Sequence, residues 1–186
     1  MVRYQLIIRI MTKQVLSVLV LLALALGIHA KNCTSPFSQV GNKCYYVSLE
    51  KANWHVADRS CRKLGGELMV LDDQQDKLLI TKHLNSLGLL TIPGYEDSVW
   101  VGINCLGTSR SFILSKNGST VPFLDWVPLE PNNYTPEEDC VGFADFNGAY
   151  GYHDIECKFQ FPFVCQRKAG EDYLCLKKEL FTEAFF

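Results

Sequence analysis

The sequence predicts one α+β domain stabilised by disulfides, and three features of the chain lead to this prediction. Eight cysteines among 186 residues are typical of domains that fold in an oxidising compartment. Apolar residues recur at helical spacing in two segments of the first half, 53–64 and 72–88. Short apolar segments bounded by polar turns follow them, which indicates strands.

The overall composition excludes two classes of protein. The net charge of -2 gives no basic excess for binding nucleic acid. Hydrophobic residues make up 48% of the chain, which indicates a globular protein rather than a disordered one. A chain of this length can bury a core of its own, so we expect an ordered domain with no nucleic acid partner.

Residues 1–30 predict a secretory signal peptide. An apolar run at 18–26 is followed by Ala30 as a cleavage point, with Gly27 as the alternative. The basic residues before this run are Arg3, Arg9 and Lys13. A membrane anchor is the competing interpretation, but the apolar stretch 15–28 is shorter than the ~20 residues of a spanning helix. We therefore expect a secreted, extracellular protein that does not insert into a membrane after cleavage of the signal.

The domain is predicted to begin with a hairpin. Cys33 and Cys44 flank a polar segment that contains Pro36 and Gly41, which suggests a hairpin closed by a disulfide. Residues 44–47 form its second strand in this interpretation.

Two amphipathic helices are predicted to follow the hairpin. The first covers 53–64 and ends at Gly65–Gly66, and the second begins after Asp72 or Asp73 and ends at Gly88. Their apolar faces consist of Trp54, Ala57, Cys61 and Leu64 in the first helix, and Leu79, Ile80, Leu84 and Leu87 in the second. Both faces are interpreted as core packing without chemistry.

The second half of the chain predicts short strands joined by loops. Residues 99–103 read as a buried strand, and the region 104–129 is rich in loops. The further strand segments are 111–114, 122–126, the pair 139–143 and 152–156, and a last strand at 161–165. A tail that contains Cys175 ends the chain.

An acidic stretch at 130–154 predicts a binding site. Its oxygen-bearing residues are Glu130, Asn132, Glu138 and Asp154. Hard oxygen ligands suit calcium, whereas zinc is disfavoured because oxidised cysteines offer no thiolate ligands. The competing interpretation is a solvated acidic loop. The arrangement favours calcium, since a possible Cys140–Cys157 bridge would draw the two halves of the stretch together.

Several motifs occur together in the order and spacing of a known family. They are Cys61 after a helix, Trp100-Val101-Gly102-Ile103, Glu130-Pro131-Asn132, Glu138-Asp139-Cys140, Asp154 before Cys157, and Phe161-Pro162-Phe163-Val164-Cys165. They resemble the C-type lectin domain over residues 33–166, and the whole chain resembles the small secreted lectins of insects. The resemblance implies a signal peptide at 1–30, a long-form domain at 31–168 and a tail at 169–186 tethered by Cys175.

The resemblance implies a fold of two helices and two small antiparallel sheets, with a long loop region that binds calcium. It also implies three disulfides, which are Cys33–Cys44, Cys61–Cys165 and Cys140–Cys157. Cys105 and Cys175 are then left over. We expect them to pair with each other, and the alternative is an intermolecular bridge at one of them.

A calcium site that binds sugar is the main functional implication of the resemblance, with Ca²⁺ as the cofactor. The implied ligands of both calcium and sugar are Glu130, Asn132, Glu138 and Asp154, with Pro131 in cis. In this family the order Glu-Pro-Asn goes with mannose-like sugars. Tyr134 lies where galactose-binding members tend to have an aromatic residue, and Tyr150 and Tyr152 would extend that surface. Both sugar classes therefore stay open, as does the interpretation of Tyr134 as an ordinary loop residue.

One residue departs from the family pattern. His153 stands where the family has an asparagine that binds both calcium and sugar, within Tyr152-His153-Asp154. Imidazole is a softer donor that suits calcium poorly, although it can still form a hydrogen bond with a sugar. We expect His153 to weaken calcium binding and to make it fall as the pH approaches a histidine pKa of about 6.5. The alternative is that His153 has abolished the site.

Three sequons predict glycosylation, at Asn32, Asn117 and Asn133. Asn133 adjoins the predicted calcium site. A glycan there would hinder access of a ligand, unless tight local structure keeps Asn133 unmodified.

These residues are compatible to different degrees with three functions. The first is a calcium-dependent lectin for glycans on microbial or host cell surfaces, which would serve innate immunity and agglutinate cells if a homo-oligomer presents several sites. The second is a module that binds protein without calcium or sugar, which His153 favours. An enzyme is disfavoured, because His153-Asp154 lies in a strand rather than on the helix that a calcium-dependent phospholipase needs.

Overall fold

The structure is a computed structural model, and it describes residues 33–170 together with Lys13 and Val15. The helices are α1 (Trp54–Lys63) and α2 (Gln74–Ser86), and a 3-10 helix covers Tyr95–Asp97. The strands are β1 (Ser38–Val40), β2 (Lys43–Ala52), β3 (Glu67–Leu68), β4 (Val99–Asn104), β5 (Ile113–Leu114), β6 (Cys140–Phe146), β7 (Ala149–Ile155) and β8 (Phe161–Lys168). No helix in this part of the chain has the length and hydropathy needed to cross a membrane.

Three expectations concern residues outside the described part of the chain. They are the signal peptide at 1–30, apart from the two residues named above, the sequon at Asn32 and the tail with Cys175. The internal contacts divide the chain into the units Met1–Lys31 and Asn32–Phe186. The domain bounds 31–168 and the signal peptide stay predictions.

The strands form two antiparallel groups that one parallel pair joins into a single mixed sheet. The first group contains β1, β2, β8 and β3, and the second contains β5, β4, β6 and β7. The connection is the parallel pairing of Trp100 on β4 with Phe163 on β8. The predicted α+β class with two helices is confirmed. The two small sheets implied by the resemblance are two halves of one sheet.

Local sequence signals determine both helices. The side chain of Asn53 accepts a hydrogen bond from the Val56 N–H at 2.9 Å, and Asp73 accepts one from the Asp76 N–H at 2.8 Å. These are N-caps, which satisfy amides that have no partner inside the helix. The predicted burial of Leu87 is wrong, since it is 45% exposed. Helix α2 ends at Ser86, so Leu87 leaves the buried face.

Another prediction fails in the loop before the acidic stretch. Residues 122–126 do not form a strand, and Trp126 makes only an isolated bridge to Tyr152. Proline has no N–H to donate, so Pro122 and Pro128 limit pairing on both sides of this bridge. The segment still runs beside β7, because the Tyr152 N–H donates to Asp125 O at 2.8 Å.

Disulfides and a buried core hold the loops over the second half of the sheet. The bridges present are the three that the resemblance implies, Cys33–Cys44, Cys61–Cys165 and Cys140–Cys157. Trp100, Phe143 and Tyr152 are fully buried. Cys140–Cys157 joins the start of β6 to the residue that follows β7 by two positions. It therefore anchors the end of the β6–β7 pair from which the acidic loop leaves.

Candidate functional site

The loop from Pro128 to Glu138 and the end of β7 bring the four predicted ligands to one place. Asp154 lies near the end of β7, paired with Val141 of β6, and both residues are fully or almost fully buried. Its carboxylate accepts the Asn132 N–H at 2.9 Å on Oδ1 and the Asn133 N–H at 3.0 Å on Oδ2. Asp154 thus fixes the loop by accepting two adjacent amides, and its side chain lies beneath the Glu-Pro-Asn segment.

Glu130 and Asn132 form the upper edge of the site. The Glu130–Pro131 bond is cis, as the resemblance implies. The Asn132 amide nitrogen donates to Glu130 Oε1 at 2.6 Å, and Asn132 Oδ1 accepts the Tyr134 N–H at 2.7 Å. The asparagine side chain is exposed while it makes both contacts. It therefore sits at the surface with a defined orientation, next to the carboxylate of Glu130.

Two carboxylate oxygens in this cluster are buried without a hydrogen-bond donor. They are Glu130 Oε2 and Glu138 Oε2. Burial, followed by a hydrogen bond and the negative charge of Asp154, raises the pKa of Glu130 to about 8. Burial and the charge of Asp154 also raise the pKa of Glu138. The site therefore concentrates carboxylates that lack an adequate counter-charge.

The pKa of Asp154 is shifted in the opposite direction, below its ordinary value. Burial opposes its ionisation, but hydrogen bonds with Glu130, Arg110 and the two loop amides outweigh burial and hold the pKa of Asp154 below its ordinary value. The result is one ionised carboxylate beside two that are difficult to ionise. A cation next to all three carboxylates would lower the raised pKa values of Glu130 and Glu138, because an opposite charge favours the ionised form.

Arg110 belongs to the site, although no sequence pattern pointed to it. Its Nη2 donates to Asp154 Oδ2, and its Nη1 donates to the Glu138 carbonyl oxygen at 2.6 Å. The guanidinium also lies 5.0 Å from the ring centre of Phe112. Arg110 comes from the loop between β4 and β5, about twenty residues before the acidic stretch in the chain. The fold alone brings it to Asp154.

The donor set fits a hard cation in part. Carboxylate and amide oxygens from Glu130, Asn132, Glu138 and Asp154 are the ligands that calcium prefers, and two of these oxygens have no other partner. Against this, no group of three His, Cys, Asp or Glu side chains within the described residues has metal-binding geometry. Arg110 accounts for part of this mismatch between residue types and geometry, because its guanidinium donates a hydrogen bond to Asp154 Oδ2. The residue types fit calcium, and Glu130 Oε2 and Glu138 Oε2 are the buried oxygens that would hold it.

His153 does not lie at the site, which corrects the expectation that it contacts calcium or sugar. Its side chain is 2% exposed, and Nε2 lies 2.8 Å from Ser98 Oγ. The ring packs over Gly142 on β6, where a Cβ would lie 2.5 Å from Nε2. Successive residues of a strand point to opposite faces, and β7 continues through Ile155, so Asp154 faces the site and His153 faces inward.

Burial fixes the charge state of His153. It lowers the pKa of the imidazole to about 4, so the ring is neutral at physiological pH. The expected loss of calcium as the pH approaches 6.5 therefore has no basis in this residue.

The aromatic residues predicted beside the sugar have different environments. Tyr134 is 87% exposed at the edge of the site, where it is free to contact a ligand. Tyr152 is fully buried and its hydroxyl accepts the Leu71 N–H at 2.9 Å, so it is a core residue and not part of a sugar platform. Tyr150 is half-buried, and its hydroxyl accepts from Asn85 of α2 at 3.2 Å. It faces helix α2 instead of the acidic loop.

The remaining residues predicted from the sequence are the asparagines of two sequons and Cys105. Asn117 and Asn133 are both exposed, and Asn133 has a positive φ of 48°. Cys105 carries a thiol that donates to Asp139 Oδ1 at 3.3 Å, and burial raises the pKa of that thiol to about 11. Its expected partner, Cys175, lies outside the described residues. The Cys105–Cys175 pairing and the glycosylation sites stay predictions.

Comparison with known proteins gives a family match over most of the domain. The model of the lectin C-type domain matches residues 50–167. The chain is 33% identical over 128 residues to C-type lectin 37Db of Drosophila melanogaster, which covers 69% of this chain and 79% of that protein. It is 29% identical over 164 residues to a C-type lectin galactose-binding isoform of Hoplocephalus stephensii, with 85% and 99% covered. It also matches C-type mannose receptor 2 of Mus musculus at 30% identity over 154 residues, covering 78% of this chain but only 10% of the receptor.

Solved structures agree with the sequence matches. The carbohydrate-recognition domain of the mouse scavenger receptor C-type lectin superposes with a TM-score of 0.60 at 26% identity, covering 73% of this chain and 96% of that domain. The family consists of carbohydrate-binding domains rather than enzymes, in agreement with the disfavoured enzyme interpretation. The match over residues 50–167 covers well over half of the sequence, and the chain therefore belongs to the C-type lectin domain family.

Proposed function

We propose that this protein is a calcium-dependent lectin that binds hexose-bearing glycans at Glu130, Asn132, Glu138 and Asp154. The observation that carries the proposal is the pair of buried carboxylate oxygens without a donor, Glu130 Oε2 and Glu138 Oε2, beside the carboxylate of Asp154. Buried charges without a partner are costly, so such a cluster is explained when a cation satisfies it. Calcium takes six to eight oxygen ligands, of the types these residues supply.

The four residues have complementary roles toward a sugar. A carboxylate accepts hydrogen bonds only, whereas the Asn132 amide donates and accepts, so neighbouring hydroxyls of a hexose can be both donors and acceptors at this edge. Bound calcium would supply coordination to the same hydroxyls. Asp154 holds the loop through the amides of Asn132 and Asn133, which keeps the Glu130 and Asn132 side chains at the surface. In this proposal Arg110 leaves Asp154 when the cation binds.

Two features favour different sugars. The order Glu130-Pro131-Asn132 favours mannose-type hexoses, following the resemblance. Tyr134, 87% exposed beside the site, favours galactose, because an aromatic ring can pack on the apolar face of that sugar. One of the relatives is described as galactose-binding. The proposed substrate class is accordingly a hexose-bearing glycan of either type.

The proposed setting is extracellular. The predicted signal peptide at 1–30 and three disulfides agree with a secreted protein. Single contacts to monosaccharides are weak, so recognition of microbial or host cell surfaces would depend on several sites acting together in a homo-oligomer. Such an assembly would agglutinate cells, and we propose innate immunity as its setting.

The contact between Arg110 and Asp154 favours a second function, which is binding of a protein without calcium or sugar. The bond from Arg110 to Asp154 gives this carboxylate a cation from within the chain. If that ion pair is permanent, Asp154 does not hold calcium, and the alternative function is a module that binds protein without calcium or sugar. Calcium-dependent retention by sugar separates the two functions.

The test is retention of the secreted protein on mannose-agarose and galactose-agarose in calcium, followed by elution with a chelator. We expect retention on at least one column and release by the chelator. Tyr134→Ala tests specificity, since it should weaken retention on galactose and leave retention on mannose unchanged. Flow-through on both columns across a range of calcium concentrations would contradict the lectin proposal and favour the protein-binding function.

A further inference from the structure

A second groove lies away from the acidic loop, between helix α2 and the turn that connects β6 to β7. Its volume is about 510 Å³. The residues that matter here are Lys77, Thr81, Lys82 and Asn85 on α2, and Gly148 and Tyr150 on the opposite side. The proposed calcium-dependent function uses none of them.

Thr81 is the unusual residue of this groove. Its side chain is only 8% exposed, and Thr81 Oγ1 has no hydrogen-bond partner. A buried hydroxyl without a partner costs free energy, and in a helix a threonine hydroxyl commonly bonds to a carbonyl of the preceding turn. Thr81 lines the groove, so its unpartnered hydroxyl lies just beneath the groove surface.

Tyr150 supplies a second free donor. Its hydroxyl oxygen accepts a hydrogen bond from the Asn85 amide at 3.2 Å, which leaves the phenolic hydrogen free to donate. The ring is half-buried on the groove wall. An aromatic face beside a polar groove is a surface against which a sugar ring can pack.

The charged groups of the groove are cationic. Lys77 is paired with Asp125 at 2.5 Å, so its charge is largely compensated. Lys82 is exposed and forms no ion pair among the described residues. No carboxylate is among the groove-lining residues in the described part of the chain. The groove therefore presents donors and positive charge, which suit an oxyanion.

We propose that this groove binds a sulfate group carried by a glycan. The sulfate oxygens would accept from Lys82 Nζ and the Tyr150 hydroxyl, and from Thr81 Oγ1 once the Thr81 side chain rotates toward the groove, while the sugar ring packs against Tyr150. Tyr150 and Asp154 lie four residues apart on β7, or about 13 Å along the strand. The groove is thus separate from the calcium site, and its ligand does not depend on calcium.

The test uses keratan sulfate tetrasaccharide, which carries sulfate but no carboxylate, and its desulfated counterpart. Binding is measured by calorimetry in the presence of a chelator, so that failure of the calcium site does not affect the result. We expect the sulfated probe to bind and the desulfated one not to bind. Inorganic sulfate forms a third arm, and it should compete only weakly because it lacks the sugar ring. Competition by inorganic sulfate at the same concentration as the tetrasaccharide would overturn the glycan assignment.

Two variants and one matched control test the residues. Thr81→Val removes the unpaired hydroxyl at nearly constant volume, so we expect affinity for the sulfated probe to fall about fivefold while stability stays equal or rises. Lys82→Gln should reduce affinity by a similar factor of about five. The control is Lys63→Gln, an exposed lysine on α1, which should leave affinity unchanged.

Besides competition by inorganic sulfate, three further results would overturn the proposal. The first is no binding of the sulfated probe to the wild-type protein. The second is affinity that is unchanged in both Thr81→Val and Lys82→Gln. The third is an equal loss in Lys63→Gln, since that would mean attraction to net positive charge instead of a defined site.

Discussion

The guanidinium of Arg110 donates to the carboxylate of Asp154, the buried acid at the centre of the proposed calcium site. Asp154 also accepts two loop amides, so Arg110 completes its hydrogen bonds when no calcium is bound. A guanidinium and a calcium ion are both cations that an ionised carboxylate attracts. If the site binds calcium as proposed, Arg110 would compete with the ion for Asp154.

Replacing Arg110 should separate these two effects. In Arg110→Gln the competing cation is absent, so we expect calcium affinity to rise by roughly tenfold. The same change leaves buried Asp154 without its cationic partner, with only Glu130 and the two loop amides beside it, so stability in chelator should fall by about 2 kcal/mol. Calorimetric titration with calcium and urea unfolding in chelator measure the two quantities.

The control for this variant is Lys116→Gln, another cation from the loop region between β4 and β6, which pairs with Glu67 at the surface. It should change neither quantity appreciably. Unchanged calcium affinity in Arg110→Gln would mean that Arg110 does not compete for Asp154.

The pH dependence of stability without calcium should depend on Glu130. Its pKa is raised from 4.5 to about 8, so the folded protein retains a proton that the unfolded chain releases. The stabilising contribution is complete below pH 4.5 and is lost as the pH rises toward 8. In chelator, urea unfolding should show stability falling across this range in the wild-type protein and less so in Glu130→Gln.

Glu137→Gln is the matched control, because Glu137 is an exposed glutamate one residue from the site. It should follow the wild-type pH profile. The same fall in Glu130→Gln as in the wild-type protein would show that Glu130 is not the group responsible. Calcium must displace the proton from Glu130, so we also expect calcium affinity to increase with pH up to about 8.

We expect His153 to contribute to the stability of the fold and not to calcium binding. Ser98→Ala removes the partner of His153 Nε2 inside the core, where Ser98 is fully buried. We expect a loss of about 1–2 kcal/mol in urea unfolding, with retention on the sugar columns unchanged. Ser60→Ala, whose hydroxyl donates to Val56 O on an exposed helix, should cost about 0.5 kcal/mol or less. If Ser98→Ala instead abolished calcium binding and left stability unaltered, His153 would be part of the calcium site.

Much of the fold follows from local sequence signals. Asn53 and Asp73 are N-caps, and Gly65 has the positive φ of 74° that ends the first helix. The burial of Leu87 was mispredicted, because apolar spacing alone does not show that α2 ends at Ser86. The partial pairing at Trp126 depends on contact with β7, which no local pattern specifies.

The site was predictable in its residue types but not in its contacts. The motif at Glu130-Pro131-Asn132 indicated where oxygen ligands occur, yet Arg110 reaches Asp154 across 44 residues of chain. The orientation of His153 did have a signal. Tyr152 and Asp154 share one face of a strand, so the residue between them must point to the other. Reading that alternation along β7 would have placed His153 on the face opposite to Asp154, away from the site.

The most direct measurement is calorimetric titration of the protein with calcium, compared between the wild-type protein and Glu138→Gln. Glu138 is 8% exposed and one of its carboxylate oxygens has no donor, so the amide variant keeps the shape of the side chain and removes the charge. Saturable calcium binding in the wild-type protein, lost or weakened by at least tenfold in Glu138→Gln and retained in Glu137→Gln, is the predicted result. Absence of calcium binding in the wild-type protein, or equal binding in Glu138→Gln, would contradict the proposal that these carboxylates hold calcium.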